Sequence, residues 1–97
     1  MKFKTTDACS KFNGCSLQGY VTADYAKLVE VFGKPTYGPN DPSDKTTCEW
    51  RIEFEDGSVA TIYDWKEYET PFGTYSWHIG GKNTRAAWNV QDLLEGK

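Results

Sequence analysis

One stretch of alternating apolar and polar residues constrains the fold of this chain more than any other feature. Between Thr46 and Phe54 the apolar positions are Cys48, Trp50, Ile52 and Phe54, and the polar ones are Thr47, Glu49, Arg51 and Glu53. A period of two is typical of a strand with one buried face. An Asp56-Gly57 turn and a β-branched, aromatic segment at 59–65 follow, so the pattern predicts a β-hairpin.

Two registers of this hairpin are compatible with the sequence. A two-residue Asp56-Gly57 turn would place Trp50 opposite Tyr63. A three-residue Glu55-Asp56-Gly57 loop, with glycine in the left-handed conformation, would place Trp50 opposite Ile62. A shift of one residue exchanges the two faces of a strand. We expect the three-residue loop, because it keeps Ile62 off a charged face.

The remaining segments complete a small α+β domain. Helical spacing predicts a helix over residues 23–32, capped by Thr22 and ended by Gly33. The other predicted elements are a short edge strand at 16–21, a third meander strand at about 73–79 that ends at Gly80-Gly81, and a last helix that Asn83 or Thr84 caps and that buries Ala86, Ala87, Val90, Leu93 and Leu94. We therefore predict one α+β domain over residues 1–97: a three- to four-stranded antiparallel meander with two helices packed on one face, in the order (β)αβββα, after a loosely ordered lead-in at 1–13.

Composition excludes some classes of function. The chain has 97 residues and a formal net charge of -3 at pH 7. This weak negative charge, without a basic stripe, disfavours binding to nucleic acid or to an anionic membrane. The sequence also has no apolar stretch of signal-peptide or membrane-spanning length, so we expect a cytosolic protein.

The three cysteines predict neither a disulfide framework nor a metal site. An odd number of cysteines fits a reducing compartment, although a Cys9–Cys15 bridge stays open. A zinc site built from Cys9, Cys15, Cys48 and His78 is disfavoured, because the spacing of the first two is wider than usual and the other two stand singly. We expect no metal and no cofactor.

The favoured register leaves one face of the sheet rich in large side chains. Tyr63 and Trp65 would lie on it near Arg51, together with either the pair Tyr75 and Trp77 or the pair Ser76 and His78 from the third strand. Exposed aromatic residues and an arginine on a rigid sheet are typical of a binding hot spot. The alternative is that the loops around Pro39 and Pro71 fold over this face and form a second small core.

Two weaker patterns point to other chemistry. Gly80, Gly81 and Lys82 precede a helix start, where free N–H groups can hold a phosphate or carboxylate, although an ordinary strand-to-helix turn explains them as well. His78 is the only histidine, and Asp64 on the neighbouring strand could orient it as a general base. No nucleophile can be placed beside this pair, so we do not expect an enzyme.

Four blocks of sequence resemble one family. Gly19-Tyr20-Val21-Thr22, the segment 31–38, the segment 54–63 and Trp77-His78-Ile79-Gly80-Gly81 are similar, in this order, to blocks of a widespread family of small uncharacterised accessory proteins of tailed bacteriophages. The similarity covers about Gly19 to Val90. The resemblance implies a role inside the infected bacterium, where such proteins commonly bind a host factor and inhibit a defence such as CRISPR, restriction or nucleotide signalling. It implies no catalytic residues.

We therefore predict a phage protein that blocks a host protein sterically. The predicted binding residues are Arg51, Tyr63, Asp64, Trp65, Trp77, His78, Gly80, Gly81 and Lys82. A small ligand such as a signalling nucleotide is the alternative partner, with Trp65 or Trp77 stacking on a base and Lys82 or Arg85 holding phosphate. A small enzyme using His78 and Asp64 is the third alternative. Self-association through the same face or through a strand edge stays open.

Overall fold

The computed structural model describes residues 2–6, 14–40, 46–65, 67 and 69–95. Within this part of the chain it contains five strands and two α-helices. The strands are β1 (Phe3–Thr5), β2 (Ser16–Ala23), β3 (Glu49–Phe54), β4 (Val59–Tyr63) and β5 (Tyr75–Gly81), and the helices are α1 (Tyr25–Phe32) and α2 (Arg85–Glu95).

The strands form one antiparallel sheet in the order β1-β3-β4-β5-β2, and the apolar sides of both helices pack into the same core beside it. The predicted α+β class is confirmed, but the described sheet has five strands rather than three or four. The additional strand β1 pairs with β3, so Phe3–Thr5 is not a loose lead-in. Residue 1 and residues 7–13 of that predicted segment lie outside the described residues.

The β3–β4 hairpin adopts the expected three-residue register. Trp50 lies opposite Ile62, and the Phe54 N–H donates to the Ser58 carbonyl at 2.9 Å. Gly57 has φ of 86°, the left-handed conformation that such a loop requires and that glycine adopts without steric cost. Trp50 and Ile62 are therefore directed together toward the helices.

The boundary between β2 and α1 differs from the prediction. Thr22 is not the helix cap, because β2 continues through Ala23, which pairs with Tyr75. Asp24 takes that role, and its Oδ1 accepts the Lys27 N–H at 2.8 Å. Gly33 ends the helix as expected, with its N–H donating to the Val29 carbonyl at 2.8 Å.

The boundary between β5 and α2 also shifts. Gly80 and Gly81 continue the strand instead of ending it, since they pair with Thr61 and Ala60 of β4. The Asn83 side chain then accepts the Arg85 N–H at 3.0 Å at the start of α2. The predicted apolar stripe of α2 faces the core, where Ala86, Ala87, Val90 and Leu94 are buried.

Two tryptophans lie at the centre of the core. Trp50 and Trp77 are both 0% exposed, and their rings meet edge to face with centroids 5.6 Å apart. Their indole N–H groups donate to carbonyls that flank α1: Trp77 to that of Ala23, the last residue of β2, at 3.0 Å, and Trp50 to that of Gly33, the residue after the helix, at 2.9 Å. The pair therefore fixes both ends of this eight-residue helix to the sheet.

Replacement of Trp50 by phenylalanine tests this arrangement. The variant loses the hydrogen bond to Gly33 and part of the buried ring, so we expect the free energy of unfolding to fall by about 2–4 kcal/mol in urea denaturation. Trp88→Phe is the matched control, because Trp88 is 65% exposed, and we expect a change of less than about 0.5 kcal/mol. Equal losses in the two variants would contradict a central role for Trp50.

Candidate functional site

The sheet face opposite the helices carries a group of aromatic side chains. Tyr63 of β4, His78 of β5 and Tyr20 of β2 are direct cross-strand neighbours in one line. Trp65, just after β4, packs beside them. We call Tyr20, Tyr63, Trp65 and His78 the aromatic row.

His78 lies at the middle of the aromatic row. Its ring centroid is 4.9 Å from that of Tyr20, 5.4 Å from that of Tyr63 and 6.2 Å from that of Trp65. Tyr63 stacks on the imidazole with an interplanar angle of 30°, whereas Tyr20 meets it edge to face. Tyr20 is 51% exposed and Trp65 is 40% exposed, so the two ends of the row present large ring surfaces to solvent.

The imidazole of His78 has an unsatisfied nitrogen. Its Nδ1 atom is buried and has no hydrogen-bond partner among the described residues. The predicted partner Asp64 does not supply one. Tyr63 is on the aromatic face, and successive strand residues point to opposite faces, so Asp64 is directed away from His78. The predicted His78–Asp64 general-base pair is therefore not formed.

Asp64 is a structural residue instead. It is 0% exposed, and its carboxylate accepts hydrogen bonds from the Thr47 N–H at 2.7 Å, the Thr47 hydroxyl at 2.5 Å and the Cys48 N–H at 3.2 Å. The Thr47 hydroxyl also lies 2.7 Å from the Thr70 hydroxyl, which accepts the Asn40 N–H. This network joins two loops to the start of β3. Asp64 is thus not available as a binding residue.

Trp77 is likewise not available. Of the two pairs considered for β5, Ser76 and His78 are on the aromatic face, and Trp77 is in the core. The prediction that Trp77 contributes to the binding surface is wrong for this reason.

The two glycines of β5 have a packing role, one on each face. A Cβ atom on Gly80 would come within 2.5 Å of the Thr61 hydroxyl oxygen and 3.4 Å of the Tyr63 ring, so glycine lets these side chains lie over the strand. A Cβ atom on Gly81 would collide with the Ala86 side chain, so glycine permits close approach of α2. Both are buried, and of the three predicted residues at this turn only Lys82 is exposed.

The charged residues near the aromatic row are already paired. The Nε atom of Arg51 lies 2.6 Å from a Glu49 carboxylate oxygen, and its guanidinium carbon is 4.9 Å from the centre of the Tyr37 ring. Burial raises the pKa of Tyr63, and the Glu49 carboxylate and Tyr20 act in the same direction. The phenol of Tyr63 therefore stays neutral in the physiological range.

The described parts of the predicted covering loops, residues 33–40, 46–48, 67 and 69–74, do not close over the aromatic row. The loops bond to each other through Asn40 and Thr70, and the Phe72 ring packs on Tyr25 of α1, with centroids 4.8 Å apart, rather than on the row. Another part of the same face is nevertheless closed, since Val59 and Thr61 are only 7% and 8% exposed. The accessible part of this face is therefore centred on the aromatic row.

Sequence reasoning missed Tyr20. The strand at 16–21 was expected, but its pairing with β5 joins residues about 60 positions apart. Residues 1–13, which precede this strand, lack hydrophobic periodicity, so the sequence does not indicate which edge of the sheet β2 would occupy. The stretch Gly19-Tyr20-Val21-Thr22 has the β-branched and aromatic content of a strand, which marks Tyr20 as a strand residue but not as a neighbour of His78.

The two described cysteines add no further site. Cys15 and Cys48 are free thiols, and Cys9, the other end of the bridge that the spacing left open, lies outside the described residues. Burial, with the nearby charges of Asp64 and Glu49, raises the pKa of Cys48 to about 12. Within the described ranges no group of three or more His, Cys, Asp or Glu side chains is placed to hold a metal ion.

No helix in the described part of the chain has the length and apolar character needed to cross a membrane. Comparison with protein-family models, with curated proteins and with solved structures gave no match. The candidate site consequently stands on its own geometry.

Replacement of Asp64 by asparagine tests its structural role. The amide retains the shape but loses a charged acceptor of the Thr47 and Cys48 hydrogen bonds, so we expect the free energy of unfolding to fall by about 2–3 kcal/mol. Asp24→Asn is the matched control, because asparagine is an equally good helix cap and should be nearly neutral. A stable Asp64→Asn variant would show that the network does not hold the loops.

Replacement of His78 by phenylalanine tests the cost of the buried nitrogen. Phenylalanine retains a ring against Tyr20 and Tyr63 and removes the unpaired atom, so we expect the free energy of unfolding to rise by about 1 kcal/mol. His78→Ala should lower it, because the ring contacts are lost. If both variants were destabilised equally, the nitrogen would be making a favourable interaction in solution.

Proposed function

We propose that this protein acts by binding another protein through the aromatic row, and that the partner is a host factor in a phage-infected bacterium. The exposure of Tyr20 and Trp65 on a rigid sheet carries the proposal. Large aromatic side chains dominate the binding energy of many interfaces when they are held in place before the partner arrives.

The aromatic row meets this condition. Each of its rings touches at least one other, and Tyr20, Tyr63 and His78 are on paired strands, so little side-chain freedom is left to lose on binding. A buried nitrogen atom without a hydrogen-bond partner lowers the stability of the fold. Such a loss is more often tolerated at a functional site, so the unpaired Nδ1 atom of His78 is consistent with a binding role of the aromatic row.

The surroundings of the row support a protein partner. Glu49, directly opposite Tyr63, forms an ion pair with Arg51, and the two side chains are 18% and 21% exposed. Paired charges around an apolar centre give a polar rim with little net field. A partner that covers the row and this rim would bury roughly 800 Å² on each side, the size of a standard specific interface.

The biological setting rests on the sequence resemblance. Small phage accessory proteins of the kind that this chain resembles act by occupying a surface of a host protein, and inhibition of an antiviral defence, such as an anti-CRISPR or anti-restriction activity, is a frequent result. Steric blocking needs no catalytic group, which agrees with a site made of rings and paired charges.

The two other candidate functions lose part of their residues. A nucleotide site keeps the exposed Trp65 and Lys82 but loses Trp77 as a stacking residue, because Trp77 is buried. Arg85, one of its phosphate-binding cations, lies 3.7 Å from the Asp56 carboxylate. A catalytic site would have needed the His78–Asp64 pair. We therefore favour a binding protein over both.

A comparative pull-down from host lysate tests the proposal. The wild type is compared with a Tyr20→Ala, Trp65→Ala double variant, after circular dichroism shows that both are folded. We expect a host protein that the wild type retains and the double variant loses, because the two truncations remove most of the exposed ring surface.

Trp88→Ala is the matched control, since it removes an exposed tryptophan from the helical side of the molecule. It should retain the partner. Retention of the same partner by the double variant, or its loss from the control alone, would contradict binding through the aromatic row. Tight co-purification of an ultraviolet-absorbing ligand with no protein partner would instead favour the nucleotide alternative.

A further inference from the structure

The outer edge of β2 has a register shift between Leu17 and Gly19 but is regular from Gly19 to Ala23. The strand has eight residues, with no proline and no charge from Ser16 to Ala23. Among the described strands it has a neighbour on one side only, β5. Long uncharged edges can pair with another chain, and proteins usually shorten them or place lysine or proline on them.

The other edge of the same sheet is protected in this way. Strand β1 has only three residues, and Lys2 and Lys4 are both exposed. The two edges of the sheet therefore differ in length and in charge, and β2 is the one without a charged residue.

The outward backbone groups of β2 can be assigned from its hydrogen bonds. The Tyr20 carbonyl accepts the Gln91 side-chain N–H at 3.1 Å, which places this peptide group on the side away from β5. Inward and outward residues alternate in an antiparallel pair, so Thr22 is also directed outward. Tyr20 and Thr22 together present two N–H donors and the Thr22 carbonyl at the free edge, and the Tyr20 carbonyl is held by Gln91.

Exposed hydrophobic side chains lie on this edge strand. Leu17 is 47% exposed and Tyr20 is 51% exposed, both on the sheet. These are two of the six large hydrophobic residues that are exposed in the described chain, so the edge combines free backbone groups with apolar anchors.

We propose that two copies of this chain pair through β2, antiparallel and about a twofold axis at Val21. Tyr20 of each copy then exchanges N–H and C=O groups with Thr22 of the other, and Gln91 releases the Tyr20 carbonyl. An uncharged strand suits a second copy, because no like charges meet within the paired strands themselves. The two sheets become one, and the proposal does not depend on the function of the aromatic row.

The walls of a groove beside β2 give this dimer a distinctive salt dependence. The groove has a volume of about 920 Å³, and its charged lining residues are Asp24, Lys27, Glu30 and Glu95. Three carboxylates against one ammonium group make each wall acidic, so two copies repel weakly at low ionic strength. Added salt screens this repulsion and should strengthen the dimer, whereas it would weaken a complex with a basic partner.

Sedimentation equilibrium of the purified chain tests the proposal. We expect a mass that rises with concentration toward twice the 11.0 kDa of one chain, and a tighter dimer at higher salt. Thr22→Pro should raise the dissociation constant about tenfold or more, because proline removes an outward N–H from each copy without touching the bonds to β5.

Thr5→Pro is the matched control. Residues Lys2 and Thr6 bond inward to β3, so Thr5 is also an outward edge position, but on β1. This variant should dimerise as the wild type does. A chain that stays monomeric at all concentrations, a Thr22→Pro variant that dimerises as tightly as the wild type, or a dimer that dissociates on addition of salt would each overturn the proposal. Circular dichroism shows whether both proline variants are folded.

Discussion

The contact between Trp50 and Trp77 is the interaction on which the rest of this small structure depends. Each indole packs against the other in a fully buried position, and each donates its N–H to a carbonyl that flanks α1. A helix of eight residues is too short to be stable alone, so its position comes from these two bonds and from its apolar face. Because Trp50 and Trp77 are buried in the core, only the other aromatic residues are left for the opposite face of the sheet.

The sequence predicted the β3–β4 hairpin well because local chemistry determined it. The strict alternation of apolar and polar residues determined which face of β3 is buried, and Gly57 determined the type of loop. Strand β5 was harder, since its residues Tyr75, Trp77 and His78 give both faces a large ring, and a period of two cannot then distinguish inside from outside. The role of Asp64 was hidden for another reason: its three donors come from Thr47 and Cys48, across the sheet end.

Long-range pairing explains the other differences. Neither β1 nor β2 pairs with a strand next to it in the chain, and the partners of such strands cannot be read from a single sequence. The consequence reaches the candidate site, because Tyr20 joins Tyr63 and His78 only through the β2–β5 pairing. Tyr63 and Trp65, half of the aromatic row, could therefore be predicted from the hairpin, whereas the exposed Tyr20 that β2 contributes could not.

The four tryptophans occupy two kinds of environment, buried and exposed, so the intrinsic fluorescence of the protein can report on its surfaces. Trp50 and Trp77 are shielded, whereas Trp65 lies on the sheet side and Trp88 on the helical side. Collisional quenching of the intrinsic fluorescence should therefore act on the last two only. Substitution of either of these two tryptophans would then leave a quenchable part of the emission that reports on one surface at a time, without any attached dye.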